Sequence, residues 1–481
     1  MILILSIIAY LALLLIVAYF TTKGDNQKHT NVDFFIGGRR SPWWTVSLGM
    51  IGASISGVTF VSVPGWVTSI HFTYLQMAIG FIVGYVIVAM VLLPVYYAAN
   101  TVSIYAILEK KLGRIGRRTA AVCFLLNKAL SSSVKLYVVV LVVHRLVFAQ
   151  YGIPFWAVAL GSLLMVWLYT WKGGIRTIVW TDFLQTILLV VALILLIHAA
   201  LKTLNISFLD AAKLVYDSPL SETFVWDDWM SKQHFVKQFL SGIFIVLVMT
   251  GLDQDLMQKN LSCKNLKESQ RNMLSYGVLF VPLNLLFLAL GVLIVTIYTK
   301  NGNPLPATGD NLLPYFAKEM GTFGLVCFVI GMLASSFSSV DSAIASITTS
   351  ISVDFSKQEA NKRKRIIIHI LVTLVFLLLV VGLQQARNSH AIDLIYTIVS
   401  FFYGPVLGLF AFCFAQKTVS QNLRFIPLSA VLSIAFAYLI STLLKQEFGY
   451  AMGYELLILN GLLMYVGLWV ENKISLEKQN H

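Results

Sequence analysis

Charge is what this chain has least of. Only 12% of its 481 residues are charged, 58% are hydrophobic, and the mean hydropathy is +0.80. An ordinary soluble domain carries about a quarter charged residues, so a water-facing globule is excluded. Cysteine is also scarce. Cys123, Cys263, Cys327 and Cys413 form no CxxC or CxH spacing, which removes a zinc-ligand pattern and a disulfide framework. There is no Walker A sequence, so nothing here predicts ATP-driven chemistry. No polar segment exceeds about 35 residues, too few for a separate catalytic domain, and no enzyme activity is expected.

What the chain does have is apolar length. Runs of about 20 residues, each long enough to cross a hydrocarbon core, recur at 1–20, 44–69, 72–99, 117–149, 153–171, 178–201, 234–258, 273–299, 321–352, 365–384, 391–415, 425–443 and 450–470. Residues 1–481 therefore read as one all-α transmembrane domain of about thirteen helices in a lipid bilayer. The first run has no basic segment before it and no small-residue cleavage site after it, so it reads as a retained helix. The net charge of +13 does not point to nucleic acid. About two-thirds of the Lys and Arg fall in loops on one side, including 110–118 and 362–365, which predicts an outer N-terminus and a cytoplasmic C-terminus. No obligatory protein partner is evident.

Three spans carry interruptions. Ser47–Gly65 holds three glycines before a terminal Pro-Gly pair, with hydroxyls near mid-depth; the pattern predicts a broken helix. The run from 234 to 258 contains Ser241-Gly242 and then Thr250-Gly-Leu-Asp-Gln-Asp255. Residues 331–354 hold eight serines, two threonines and Asp341. Lipid offers such groups no hydrogen bonds, so they must face protein, water or an ion. The first two interrupted spans lie five apart. That spacing points to two inverted five-helix repeats, 44–201 and 234–415, with 44–258 covering the first and the start of the second. Residues 1–20 and 425–470 then supply one extra helix before and two after.

Local motifs add a resemblance. Trp171-Lys-Gly-Gly-Ile-Arg-Thr-Ile-Val-Trp-Thr-Asp182, Ala334-x-x-x-Ser338-Ser339 and Gly404-Pro-Val-Leu-Gly408 resemble signatures of the sodium:solute symporter family. The resemblance implies a LeuT-like inverted-repeat fold and uptake of a small solute driven by inward sodium flow. It implies one sodium site made by the carbonyls of Gly52, Ile55 and Ser335 with the hydroxyls of Ser338 and Ser339. Independently, Ser335, Ser338 and Ser339 stand at i, i+3 and i+4 and share a helix face. The resemblance also suggests a second sodium site from Asp182, Ser338, Asp341 and Ser342. An aspartate at 341 departs from the family pattern. It leaves three assignments open: a sodium ligand, a proton carrier, or an ion pair with Lys128 or Lys135. Asp182 has a further option in Lys172 or Arg176.

For the solute, Ser54, Ser56 and Thr59 flank the expected break, where half-helix N-termini and hydroxyls suit a carboxylate. Phe72 and Gln76 stand four apart on one helix face. Lys128 and Lys135 are embedded in the fourth span, and an embedded cation is a functional residue by default. In sialic-acid-carrying members of the family a basic residue on this helix meets the substrate carboxylate; Lys135 is the preferred match and Lys128 the reserve. Asp253 stands where a solute hydroxyl, a cation or inner water would meet it. The expected function is sodium symport of a carboxylated sugar such as sialic acid, or a related organic anion, by alternating access. A neutral sugar, an amino acid or a vitamin is the alternative. A transporter-like sensor is disfavoured because no signalling domain is expected after Val470.

Overall fold

The computed structural model describes residues 1–23, 31–171, 173–355, 362–384, 391–420 and 422–480. Its elements are α1 (Ile2–Lys23), α2 (Asn31–Ile36), α3 (Trp43–Ser54), α4 (Gly57–Trp66), α5 (Tyr74–Ala99), α6 (Ala106–Val143), α7 (Phe155–Thr170), α8 (Gly174–Leu204), α9 (Phe208–Tyr216), α10 (Phe235–Gly251), α11 (Gln254–Asn260), α12 (Leu266–Lys300), α13 (Leu312–Glu319), α14 (Gly321–Asp354), α15 (Lys362–Leu383), α16 (Ala391–Ala415), α17 (Ile426–Phe448) and α18 (Leu456–Asn480). No strand occurs among the described residues. Nine of the described helices are long and apolar enough to cross a membrane, and eleven spans result if each of two bent pairs counts as one.

Those bent pairs fall where the sequence predicted broken helices. α3 and α4 meet at 63°, α10 and α11 at 68°. Each break is stabilised by a side chain that caps the second half. The Ser56 hydroxyl accepts from Thr59 N–H at 3.4 Å. Asp253 accepts from the N–H groups of Asp255 and Leu256 at 2.7 and 3.3 Å. Such caps satisfy donors that the start of a helix leaves free.

The hydroxyl-rich α14 is central, packing against α3, α4, α6, α8 and α15. Its 331–350 stretch is buried throughout. Several of its hydroxyls donate back to carbonyls one turn earlier: Ser335 to Met332, Ser346 to Ala343, Thr348 to Ile344 and Ser352 to Thr348. Back-bonding lets small polar groups sit in an apolar interior. Two glycines permit the closest approaches at the break. A Cβ on Gly52 would strike Thr186 Oγ1 of α8, and one on Gly57 would strike Ser336 Oγ of α14.

Candidate ion and solute site

The break in α3/α4 takes several carbonyls out of the helical ladder. Ser56 N–H turns to Ser54 O at 3.0 Å instead of Gly52 O. Thr59 N–H goes to the Ser56 hydroxyl rather than to Ile55 O. Gly57 N–H donates to Ser336 Oγ at 3.1 Å, leaving Ala53 O to accept from Ser339 Oγ at 2.6 Å. Ser339 also reaches Ser335 O at 3.3 Å. Neutral oxygens of the broken helix and of α14 thus converge on one spot. Among the described residues no cluster of three or more His, Cys, Asp or Glu could hold a metal, so any cation here meets mainly neutral oxygen. That donor set suits a hard monovalent ion over a divalent one.

A second cluster lies between α8, α11 and α14. Asp182 Oδ2 of α8 stands 2.7 Å from Lys259 Nζ of α11. The Ser338 hydroxyl lies against the same carboxylate without a well-aligned hydrogen bond. Asp341 accepts from Tyr169 OH at 2.9 Å and from the Ser342 hydroxyl at 3.2 Å. Ser342 also donates to Ser338 O at 2.5 Å. Lys259 was missed by sequence reasoning, which ended the span at 258 and counted 259 as inner loop. The signal was present: Lys259 follows Asp255 by four and so shares its helix face. Lys259 and Asn260 read as the start of a loop because they are polar, but a capped half-helix inside protein need not be apolar. Of the partners anticipated for Asp182, Lys172 lies outside the described residues.

Next to Ser339 lies a cavity of about 90 Å³ lined by Ala53, Ser54, Lys128, Lys135, Asp253 and Tyr276, among others. Ser54 Oγ and Tyr276 OH are 2.5 Å apart, and Tyr85 OH donates to Tyr276 at 3.0 Å. Lys128 is not open to a carboxylate solute: it bridges Asp253 at 3.0 Å and Asp255 at 2.7 Å. Nor is Asp253 open, since Tyr403 OH also donates to it at 2.6 Å. Asp341 lacks the pairing with Lys128 or Lys135 that the sequence left open; Lys128 is committed elsewhere. Lys135 lines the cavity and, among the described residues, has no hydrogen bond or ion-pair partner.

Four expected solute contacts lie elsewhere. Ser56 caps α4, with its hydroxyl 3.3 Å from that of Thr59, and neither residue lines the cavity. Gln76 faces the outer segment 222–233: it donates to Gln233 O at 2.8 Å and accepts from Val225 N–H at 3.1 Å. Phe72 N–H donates to Glu222 O at 3.0 Å. Phe72 lies in the turn before α5, so it and Gln76 do not share one helix face, and the outer segment folds over Gln76. Between this segment and α17 lies a larger cavity of about 730 Å³. Gln76→Leu should therefore loosen the outer segment, each lost hydrogen bond being worth about 1 kcal/mol. Faster proteolytic cutting within 222–233 would show it; an unchanged cleavage rate would mean the segment is held elsewhere.

Against known proteins, the model of the sodium:solute symporter family matches residues 34–422. The chain belongs to the sodium:solute symporter family. It is a multi-pass membrane transporter, not an enzyme, and sodium is its coupling ion. It is 26% identical over 425 residues to the sodium/sialic acid symporter SiaT of Proteus mirabilis, covering 83% of this chain and 82% of that one. It is 24% identical over 435 residues to the sodium/sialic acid symporter NanT of Aliivibrio fischeri, covering 87% and 83%. The solved structure of a substrate-bound, outward-open sodium-coupled sialic acid symporter aligns with TM-score 0.82 at 21% identity, over 98% of both chains. That likeness shows the shared fold.

Proposed function

We propose that this symporter imports a small carboxylated solute, a carboxylated sugar such as sialic acid or a related organic anion, together with sodium. One observation carries the solute class. Lys135 lines the cavity without a carboxylate of its own, whereas Lys128 is neutralised by Asp253 and Asp255. A half-buried cation with no direct ion-pair partner favours an anionic ligand. The likeness to two sialic acid symporters points the same way. Ser54 and Tyr276 supply hydroxyls to the same cavity. The cavity is smaller than the roughly 300 Å³ at which ligand pockets begin, so solute entry requires it to widen.

Sodium binds between the α3/α4 break and α14, on the carbonyls of Gly52, Ile55 and Ser335 and the hydroxyls of Ser338 and Ser339. The interrupted ladder around 52–59 supports this reading. An ion there ties the broken helix to α14 and biases the molecule toward one arrangement of the two; solute binding and ion release then move the equilibrium between outward and inward states. Helices α7 and α18 complete a set of about thirteen spans. The repeats are 44–201 and 234–415, and the N-terminus is outside.

Uptake in proteoliposomes tests the solute class. Lys135→Gln should weaken an anionic solute by about ten- to hundredfold, the worth of one charge-assisted hydrogen bond, and leave the sodium dependence in place. An equal loss for a neutral sugar or amino acid would overturn the carboxylate role and favour a neutral solute. Flux that ignores the sodium gradient would overturn the symport reading itself.

A further inference from the structure

The cluster around Asp182 is built for a cation, and the chain itself supplies one. Asp182 and Asp341 are fully buried, and Lys259 is only 1% exposed. A carboxylate taken out of water needs a positive partner close by. Asp182 has it at 2.7 Å in the Lys259 ammonium. Hydroxyl oxygens of Ser338 and Ser342 complete the surroundings. The family resemblance suggested a second sodium site from these same residues. The ammonium and sodium carry the same charge, and both prefer hard oxygen. They differ in that the ammonium is covalently held.

Lys259 also sits on a strategic element. It belongs to α11, the half-helix after the second break, and reaches across to α8. α8 in turn packs on α3, the first half of the other broken helix, where Thr186 Oγ1 donates to Leu48 O at 2.7 Å. The ion pair therefore ties one broken helix to the helix that supports the other.

We propose that Lys259 is a tethered cation occupying the Asp182–Asp341 cluster in place of a second sodium ion, so that the transporter binds and carries one sodium per cycle. This rests on the sodium-symport reading. A tethered charge neutralises Asp182 in every state and never leaves, so only the ion at the α3/α4 break is exchanged with solution. Removing the lysine side chain would leave Asp182, Asp341, Ser338 and Ser342 as a vacant cation site.

Radiosodium binding to the purified full-length protein tests this without knowledge of the solute. The wild type should bind one sodium per chain with a Hill coefficient of 1. Lys259→Met should bind two, and Lys259→Arg one. A buried Asp182 left alone can prevent folding, so Lys259→Met/Asp182→Asn is the companion variant, expected to fold and bind one. Two sodium ions on the wild type, one on a folded Lys259→Met, or two on the double variant would each overturn the proposal while leaving symport intact. No bound sodium on the wild type would instead overturn the symport reading beneath it.

Discussion

Ser339→Ala should raise the sodium concentration for half-maximal uptake by about ten- to hundredfold, because one oxygen to a charged group is worth roughly 1.5–3 kcal/mol. The hydroxyl does two jobs. In the proposed site it is one of the oxygens offered to the ion, and it donates to Ala53 O at 2.6 Å, joining α14 to the end of α3. Alanine removes both with little change in volume. The maximal rate at saturating sodium should fall far less, since the cavity walls formed by Lys135, Ser54 and Tyr276 stay in place. Uptake measured against sodium concentration, with potassium holding ionic strength constant, separates the two parameters. Unchanged sodium dependence would remove Ser339 from the site. Ser335→Ala makes a useful contrast. Its hydroxyl donates to Met332 O within its own helix at 2.9 Å, and only its carbonyl is assigned to the ion, so its sodium dependence should move little.

The two helix breaks were legible because their cause is local. Glycine, serine and proline cluster at 47–65, and Thr250-Gly251 leads into the capping Asp253; residues that weaken a helix are visible one by one. That Ser335, Ser338 and Ser339 share one face of α14 was legible for a similar reason, since i, i+3, i+4 spacing fixes a shared face before any fold is known. Contacts set by long-range packing were not. Lys128 and Asp253 are 125 residues apart, and nothing in either segment specifies the other. Gln76 lay on the right face for a pocket, yet what covers a face depends on the segment 222–233, joined to it only in three dimensions. Lys259 failed on a rule that usually serves. Polar residues after an apolar run normally mark the membrane boundary, but α11 is buried among other helices, where ion pairs and caps satisfy polar groups.

Lys128→Met should destabilise the folded transporter by about 3–5 kcal/mol, the cost of stranding buried charge. The lysine neutralises two carboxylates, and each depends on it differently. Asp253 keeps Tyr403 OH and two backbone N–H groups when the ammonium is gone. Asp255 keeps less: its Oδ1 already has no hydrogen-bond partner among the described residues, and its Oδ2 has the lysine at 2.7 Å. The damage therefore enters through Asp255, and Lys128→Met/Asp255→Asn should recover most of the loss by removing the stranded charge together with its partner. Against a typical net stability of about 5–15 kcal/mol, the single variant should melt well below the wild type in detergent and the double variant near it. A single variant that melts like the wild type would mean that water reaches Asp255 and that the pair adds no stability. The same pair of proteins separates structure from solute binding: if Lys128 only neutralises its aspartates, an anionic solute should still stabilise the double variant through Lys135, and loss of that stabilisation would return Lys128 to the solute site.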